Sequence, residues 1–215
     1  MISMKMDYIS RPTYRAVFGL IGRIFVYAVL LGVIAAGMLW GAVEYGPVFY
    51  DEIGPVETLE TVFAMSTALV LLWVGRSNER CAPCAVMLSG FLFCVAVRES
   101  DYFLDVLVCR HAWKMLVLLL LAVFTVYLIR NMRRVFESVA EFMQQPAFGV
   151  FMSGLLVLIV FSRLFGYGGF WKELIEDDHY RVIKTIVEEG VELMGYFLIL
   201  VSSLEYRHAA LDEAS

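Results

Sequence analysis

Apolar residues in this chain come in long unbroken runs, not in the alternating or one-sided patterns of a soluble fold. The first run covers 24–43 and is preceded by Lys5, Arg11, Arg15 and Arg23. The apolar stretch of a signal peptide is shorter, roughly 7–15 residues, so this run reads as an uncleaved anchor. A loop punctuated by glycine, proline and acid follows (Glu44, Gly46, Pro47, Asp51, Glu52, Gly54, Pro55), and a second run, 56–75, stops at Arg76 and Arg80. Further runs cover 85–107, 115–129, 147–165 and 182–204. Since roughly 20 predominantly apolar residues cross a hydrocarbon layer, the pattern predicts an all-α, polytopic helical bundle. It has six transmembrane helices in a single transmembrane domain over 1–215.

Two segments between the spans carry helical patterns of their own. In 133–145, Val135, Phe136, Val139, Phe142 and Met143 recur at helical spacing with Glu137, Ser138 and Glu141 between them, and Pro146 follows. Such a helix either lies on the inner membrane surface or extends span four into the cytoplasm. The segment 166–181 sets Gly168, Gly169 and Trp171 ahead of Glu173, Glu176, Asp177 and Asp178, and reads as a short outer helix or cap with aromatics suited to the interface.

Composition agrees with the pattern: 60% of the 215 residues are hydrophobic and 18% charged, with a mean hydropathy of +0.74. A soluble globular domain is thereby excluded. The formal charge is −5 and the sequence pI about 5.2, which leaves no basic surface for a phosphate backbone, so nucleic acid is not expected as a partner. Cytoplasmic loops are enriched in Lys and Arg near the span ends. With the N-terminus inside, ten such residues fall inside (Lys5, Arg11, Arg15, Arg23, Arg76, Arg80, Arg130, Arg133, Arg134, Arg207) and six outside (Arg110, Lys114, Arg163, Lys172, Arg181, Lys184). Both termini are therefore expected in the cytoplasm of a cell whose inner membrane this protein crosses.

Ionisable residues inside the spans change the picture most, because charge in hydrocarbon is costly and normally faces a packed interior, a partner or water. At about 1.5 Å per residue, Glu60 lies roughly 22 Å from Gly75, Arg98 roughly 26 Å beyond Cys81 and Glu192 roughly 20 Å from Glu205. Three helices thus place charge at one level, in the outer third. Glu57 and Glu60 share a helix face, as do Glu188 and Glu189 with Glu192. Arg98 is expected to pair with Asp101, while Lys114, Arg163 and Lys184 sit at outer span ends. Seven carboxylates (Glu57, Glu60, Glu99, Asp101, Glu188, Glu189, Glu192) face four cations (Arg98, Lys114, Arg163, Lys184), and three acids are left over. In a low-dielectric layer, leftover acids take up protons, bind a cation, meet a partner's cations or open to water. The plainer reading is an interhelical ion-pair network that fastens the bundle.

Other motifs add less. The two Glu-x-x-Glu pairs, Glu57/Glu60 and Glu189/Glu192, offer oxygen ligands for a divalent cation such as Ca²⁺, Mg²⁺ or Mn²⁺. His111 and His179, both expected on the outer side, can join them or simply sit at the interface. Cys81-Ala-Pro-Cys84 has the spacing of a redox pair, but lies at the cytoplasmic mouth of span three, away from Cys94 and Cys109. Gly190 and Gly195 fit close helix packing. No hydrolase, zinc-protease or phosphate-loop pattern occurs.

The segments Asp51-Glu52-Ile-Gly54-Pro55-Val-Glu57, Arg98-Glu99-Ser-Asp101 and Glu188-Glu189-Gly-Val-Glu192 on six spans resemble a group of bacterial inner-membrane proteins. The resemblance implies the six-span topology and the pairing of these acids with Arg98, and carries over no substrate. The functional expectation is a carboxylate and Arg/Lys cluster, open outward, that binds a cation or proton for ion or proton-coupled transport. Glu57, Glu60, Glu99, Asp101, Glu188, Glu189 and Glu192 are the expected binding groups, Arg98 the fixed counter-ion and Lys114 the mobile one. Two alternatives remain open: an enzyme acting on a lipid or envelope substrate from the outer side, and a non-catalytic subunit of a membrane complex. Besides the lipid bilayer, a second copy or another membrane protein is a possible partner.

Overall fold

The computed structural model describes residues 14–50, 54–175 and 179–212. Lys5, Arg11, Asp51, Glu52, Glu176, Asp177 and Asp178, used above, lie outside them. The described residues form eight helices: α1 (Tyr14–Tyr45), α2 (Pro55–Ser77), α3 (Ala82–Glu99), α4 (Asp101–Leu107), α5 (Ala112–Phe142), α6 (Pro146–Phe165), α7 (Gly168–Leu174) and α8 (Tyr180–Asp212). A short 3₁₀ segment, Gly46–Tyr50, follows α1, and one π-helical turn, Val157–Phe161, lies inside α6. Three prolines mark helix starts: Pro55, Pro83 and Pro146 each sit in a first turn, where the missing N–H has no helical partner to lose.

Five stretches are long and apolar enough to cross a membrane: Val17–Tyr50, Pro55–Ser77, Ala82–Glu99, Ala112–Phe142 and Pro146–Phe165. By helix length and hydropathy the chain is a multi-pass membrane protein. None of the most apolar 18-residue window of α5 is buried, and Leu118, Leu119, Leu121 and Val123 are exposed. Hydrocarbon covers such a face without penalty. The run 182–204 lies within α8, but its apolar part, 193–204, is about 18 Å long at the helical rise, short of a layer about 30 Å thick. Glu188, Glu189 and Glu192 interrupt the remainder.

The chain divides into two compact units, one ending at Gly37 and one beginning at Met38. The first is the bulk of α1, a single apolar helix. In the second, α2 packs on α3 and α8, α3 also packs on α5, and α6 lies against α8. The buried stripe of α2 is Val56, Glu60, Ala64, Thr67, Ala68, Leu71 and Val74. Its steps of three and four are those of a single helix face, and one core position on it is a carboxylate. The crossing of α6 and α8 is close because it is lined by glycine. A Cβ at Gly154 would come 2.9 Å from the Gly195 carbonyl and 2.7 Å from Ile199, and one at Gly195 would meet Leu158 at 2.6 Å.

This arrangement corrects one sequence expectation and bears on two others. Span three ends at Glu99, not at 107: the Ser100 hydroxyl donates to the Ala96 carbonyl at 2.7 Å, its backbone leaves the helical region, and α4 starts afresh. Span four runs on through 133–142 as one helix with a kink at Asn131. Of the two readings of that segment, the helix follows the extension of span four, and the extension folds over the end of the bundle. Val135, Ser138 and Phe142 are buried, and Ser138 Oγ donates to the Arg80 carbonyl at 2.8 Å and accepts from the Cys84 N–H. The Phe142 ring packs edge-on against Phe148 and Phe151 and tilted against Tyr206. Cys81 and Cys84 are free thiols buried at this capped end, positions that suit packing and not thiol exchange.

Replacing Gly154 by Ala is expected to destabilise the folded protein by about 1–3 kcal/mol, since the added methyl meets backbone that cannot move aside. Thermal unfolding in detergent checks it; an unchanged midpoint would show that α6 and α8 are not locked by this contact.

Candidate acidic cavity

Four helices bring their charged turns to the end of the second unit opposite the α5 cap. Glu57 and Glu60 lie near the start of α2, Arg98 and Glu99 in the last turn of α3, Arg163 in the last turn of α6, and Glu188, Glu189 and Glu192 in the first half of α8. With Tyr50 they line one cavity of about 180 Å³, which has room for an ion and several waters. The antiparallel order of α2, α3, α6 and α8 makes this possible, because alternate helices present a beginning and an end at the same face.

Three of these acids, Glu99, Glu188 and Glu192, are held in ion pairs. Arg98 donates to Glu99 at 2.6 Å, and the buried Tyr196 hydroxyl donates to the same carboxylate oxygen at 2.6 Å. Arg163 bonds Glu192 at 2.7 Å and stands 4.0 Å from Glu188. Lys184, one turn before Glu188 on α8, bonds it at 2.6 Å. Glu60 differs: its residue is 1% exposed, and its Oε1 has no hydrogen-bond partner among the described residues. No cation is bonded to Glu189 among them either. Glu60, Glu189 and Glu192 each place a carboxylate oxygen so that all three lie within 4.8 Å of one another. An unsatisfied carboxylate atom in a packed interior is costly. Two neighbouring acids raise that cost by like-charge repulsion, and a cation or proton among the three oxygens removes it.

Seven of the nine expected site residues line the cavity: Glu57, Glu60, Arg98, Glu99, Glu188, Glu189 and Glu192. Asp101 and Lys114 do not. Asp101 begins α4 beyond the break at Ser100, so the ion pair of Arg98 goes to Glu99 and not to Asp101. Lys114 opens α5, which packs on α3 away from α2 and α8, and its Nζ stands 5.4 Å over the Trp113 ring. The role of mobile counter-ion is therefore withdrawn from Lys114. His111 pairs with Asp105 outside the cavity, and His179 does not line it.

Four residues at the site carry weight that the sequence reading did not give them. Arg163 is the cation nearest the triad, although its side chain is 60% exposed. Tyr196 follows Glu192 by one turn, a spacing that signals a shared face. Tyr50 is buried at the cavity wall and donates to the Met38 carbonyl at 2.7 Å. Gly166 leaves space that the Glu188 carboxylate fills, since a Cβ there would collide with it; only the fold reveals this. No family model, no curated protein and no solved structure matches this chain.

The Arg163–Glu192 pair is expected to show coupling. Arg163→Gln alone should lower stability, and in the Glu192→Gln background it should cost less, with an interaction energy of about 0.5–3 kcal/mol in a double-mutant cycle. Strict additivity would mean that the two groups do not interact in the folded protein.

Proposed function

We propose that this chain is a six-span inner-membrane protein with both termini in the cytoplasm, and that its acidic cavity opens outward to bind a cation or proton. The observation that carries this reading is Glu60, a core carboxylate without a hydrogen-bond partner among the described residues, grouped with Glu189 and Glu192 within 4.8 Å. Six carboxylates line the cavity against Arg98 and Arg163. Counting Lys184 on Glu188 as well, three more acids than cations remain, and the excess attracts positive charge. In this reading α8 is the sixth span, its glutamates sheltered from lipid by α2, α3 and α6.

Binding that ends inside the protein suits the site better than an open pore. Beyond the cavity, the bundle is filled by Ala64, Ala68, Leu71, Val74, Cys84, Ala85 and Leu92. The hydroxyls there are satisfied locally, Thr67 by the Phe63 carbonyl and Ser89 by the Ala68 carbonyl. Movement of a bound cation or proton inward therefore requires the helices to rearrange, as ion-coupled transporters do around a fixed site.

Unfolding midpoints of the purified protein across a series of Na⁺, K⁺, Ca²⁺, Mg²⁺ and Mn²⁺ test the binding. At an ion concentration about 100 times the dissociation constant, stability rises by about 2.7 kcal/mol. Glu60→Gln is expected to abolish that rise while leaving the ion-free protein as stable as before or more so, because it removes a buried acid. Equal ion responses in the native protein and in Glu60→Gln would contradict the proposal. Orientation has a separate test at Cys109, the exposed cysteine between α4 and α5. A membrane-impermeant maleimide should label it in intact cells; labelling only after permeabilisation would reverse the topology.

A further inference from the structure

Beside the acidic cavity lies a second space of different character. A groove of about 160 Å³ runs between α3 and α6 with α8 as its floor, lined by Phe91, Leu92 and Val95 on α3, Leu155, Leu158 and Ile159 on α6, and Tyr196 and Ile199 on α8. Its remaining lining residues are Arg98 and Glu99, which also line the acidic cavity. Groove and cavity therefore share one wall, the Arg98–Glu99 ion pair. Phe91 is 51% and Ile159 65% exposed, so the mouth of the groove opens on the side of two membrane-length helices, where lipid is. The α6 wall of the groove includes the π-helical turn Val157–Phe161, a local widening often found at functional sites.

We propose that the ligand of the acidic cavity is an amphiphilic cation, a primary ammonium head on an apolar chain, taken up sideways from the bilayer through this groove. The inference rests on the cation-site reading above and names its ligand class. Charge complementarity fixes the head: the cavity carries the acid excess, and Glu60, which lines it, has an oxygen without a hydrogen-bond partner among the described residues. Geometry fits the head as well. A tetrahedral ammonium has three N–H donors besides its chain. Three acceptors about 2.8 Å from its nitrogen stand about 4.6 Å from one another. The oxygens of Glu60, Glu189 and Glu192 lie within 4.8 Å of one another. The fourth substituent is the chain, and the groove beside the cavity offers it apolar walls. At the shared wall, the arriving ammonium replaces Arg98 on Glu99. The Arg98 side chain is 57% exposed, so it can turn outward without being stranded in the core.

The test uses the full protein in nanodiscs with four probes: octylammonium, propylammonium, octanol and Mn²⁺. Binding is read from the unfolding midpoint against probe concentration, with empty nanodiscs correcting for partitioning into lipid. Octylammonium is expected to bind about ten-fold or more tightly than propylammonium, and octanol not to stabilise the protein. Leu155→Trp fills the groove from within, and Ile159→Trp narrows its exposed mouth, so that one variant remains informative if the other fails to fold. Both should erase the advantage of the longer chain while propylammonium still binds, and Glu60→Gln should lose both amines. A chain-length advantage that survives both groove variants, or equal binding by octanol, would overturn the lateral route. A response to Mn²⁺ or propylammonium that still depends on Glu60 would in that case leave the cation site standing. If no probe depends on Glu60, both readings fall together.

Discussion

The structure turns on an imbalance of charge in one enclosed space. Four helices deliver six carboxylates to a cavity of about 180 Å³ that two arginines line, with Lys184 reaching Glu188 from the same helix. Each cation is spoken for: Arg98 by Glu99, Arg163 by Glu192 and Lys184 by Glu188. Removing charge from water costs several kcal/mol per ion even after relaxation, and bonded pairs offset part of that cost. Glu60, on the buried stripe of α2 between Val56 and Ala64, has no such compensation among the described residues. A fold selected only for stability would hold a leucine there, and the retained carboxylate is what ties this architecture to a ligand.

The rest of the second unit supports that end by being rigid at the other. The kinked extension of α5 closes over the α2–α3 turn, where Asn78 also donates to the Ala210 carbonyl of α8 at 3.2 Å. Ser202 of α8 donates to the Ala147 carbonyl at the start of α6 at 2.7 Å. Glycine contact at Gly154 and Gly195 holds α6 against α8 and so fixes Arg163 over Glu192. The first two contacts bind the helices at the capped end and the glycine contact binds α6 and α8 near their middle, while the charged end is joined by side-chain ion pairs, which exchange partners at less cost than packed backbones shift.

Much of this was legible in the sequence because hydrocarbon imposes length. Apolar runs located the five membrane-length helices, and the rise per residue placed Glu60, Arg98 and Glu192 at one depth before any contact was known. Helix ends were harder to read. Composition marks the break at Ser100 only weakly, since 101–107 keeps five apolar residues in seven beside Asp101 and Asp105; a hydroxyl bonded back to Ala96 ends the helix. That break also explains the misassigned partner of Arg98: spacing favoured Asp101, but the acid beside it, Glu99, faces the cavity. Lys114 was judged by depth alone, and depth does not tell which side of α3 a helix packs on. Tyr196 was readable from its one-turn spacing to Glu192, whereas Gly166 acquires meaning only from the neighbouring carboxylate.

A cation or proton bound among Glu60, Glu189 and Glu192 changes the electrostatic state of Glu60. Infrared difference spectra of the purified protein, recorded between ion-free and ion-loaded samples and between two pH values, report carboxyl groups directly. A carboxyl band that changes on loading and vanishes in Glu60→Gln is the predicted result. A difference spectrum that is the same in Glu60→Gln as in the native protein would contradict the account, because the group at its centre would then be a bystander.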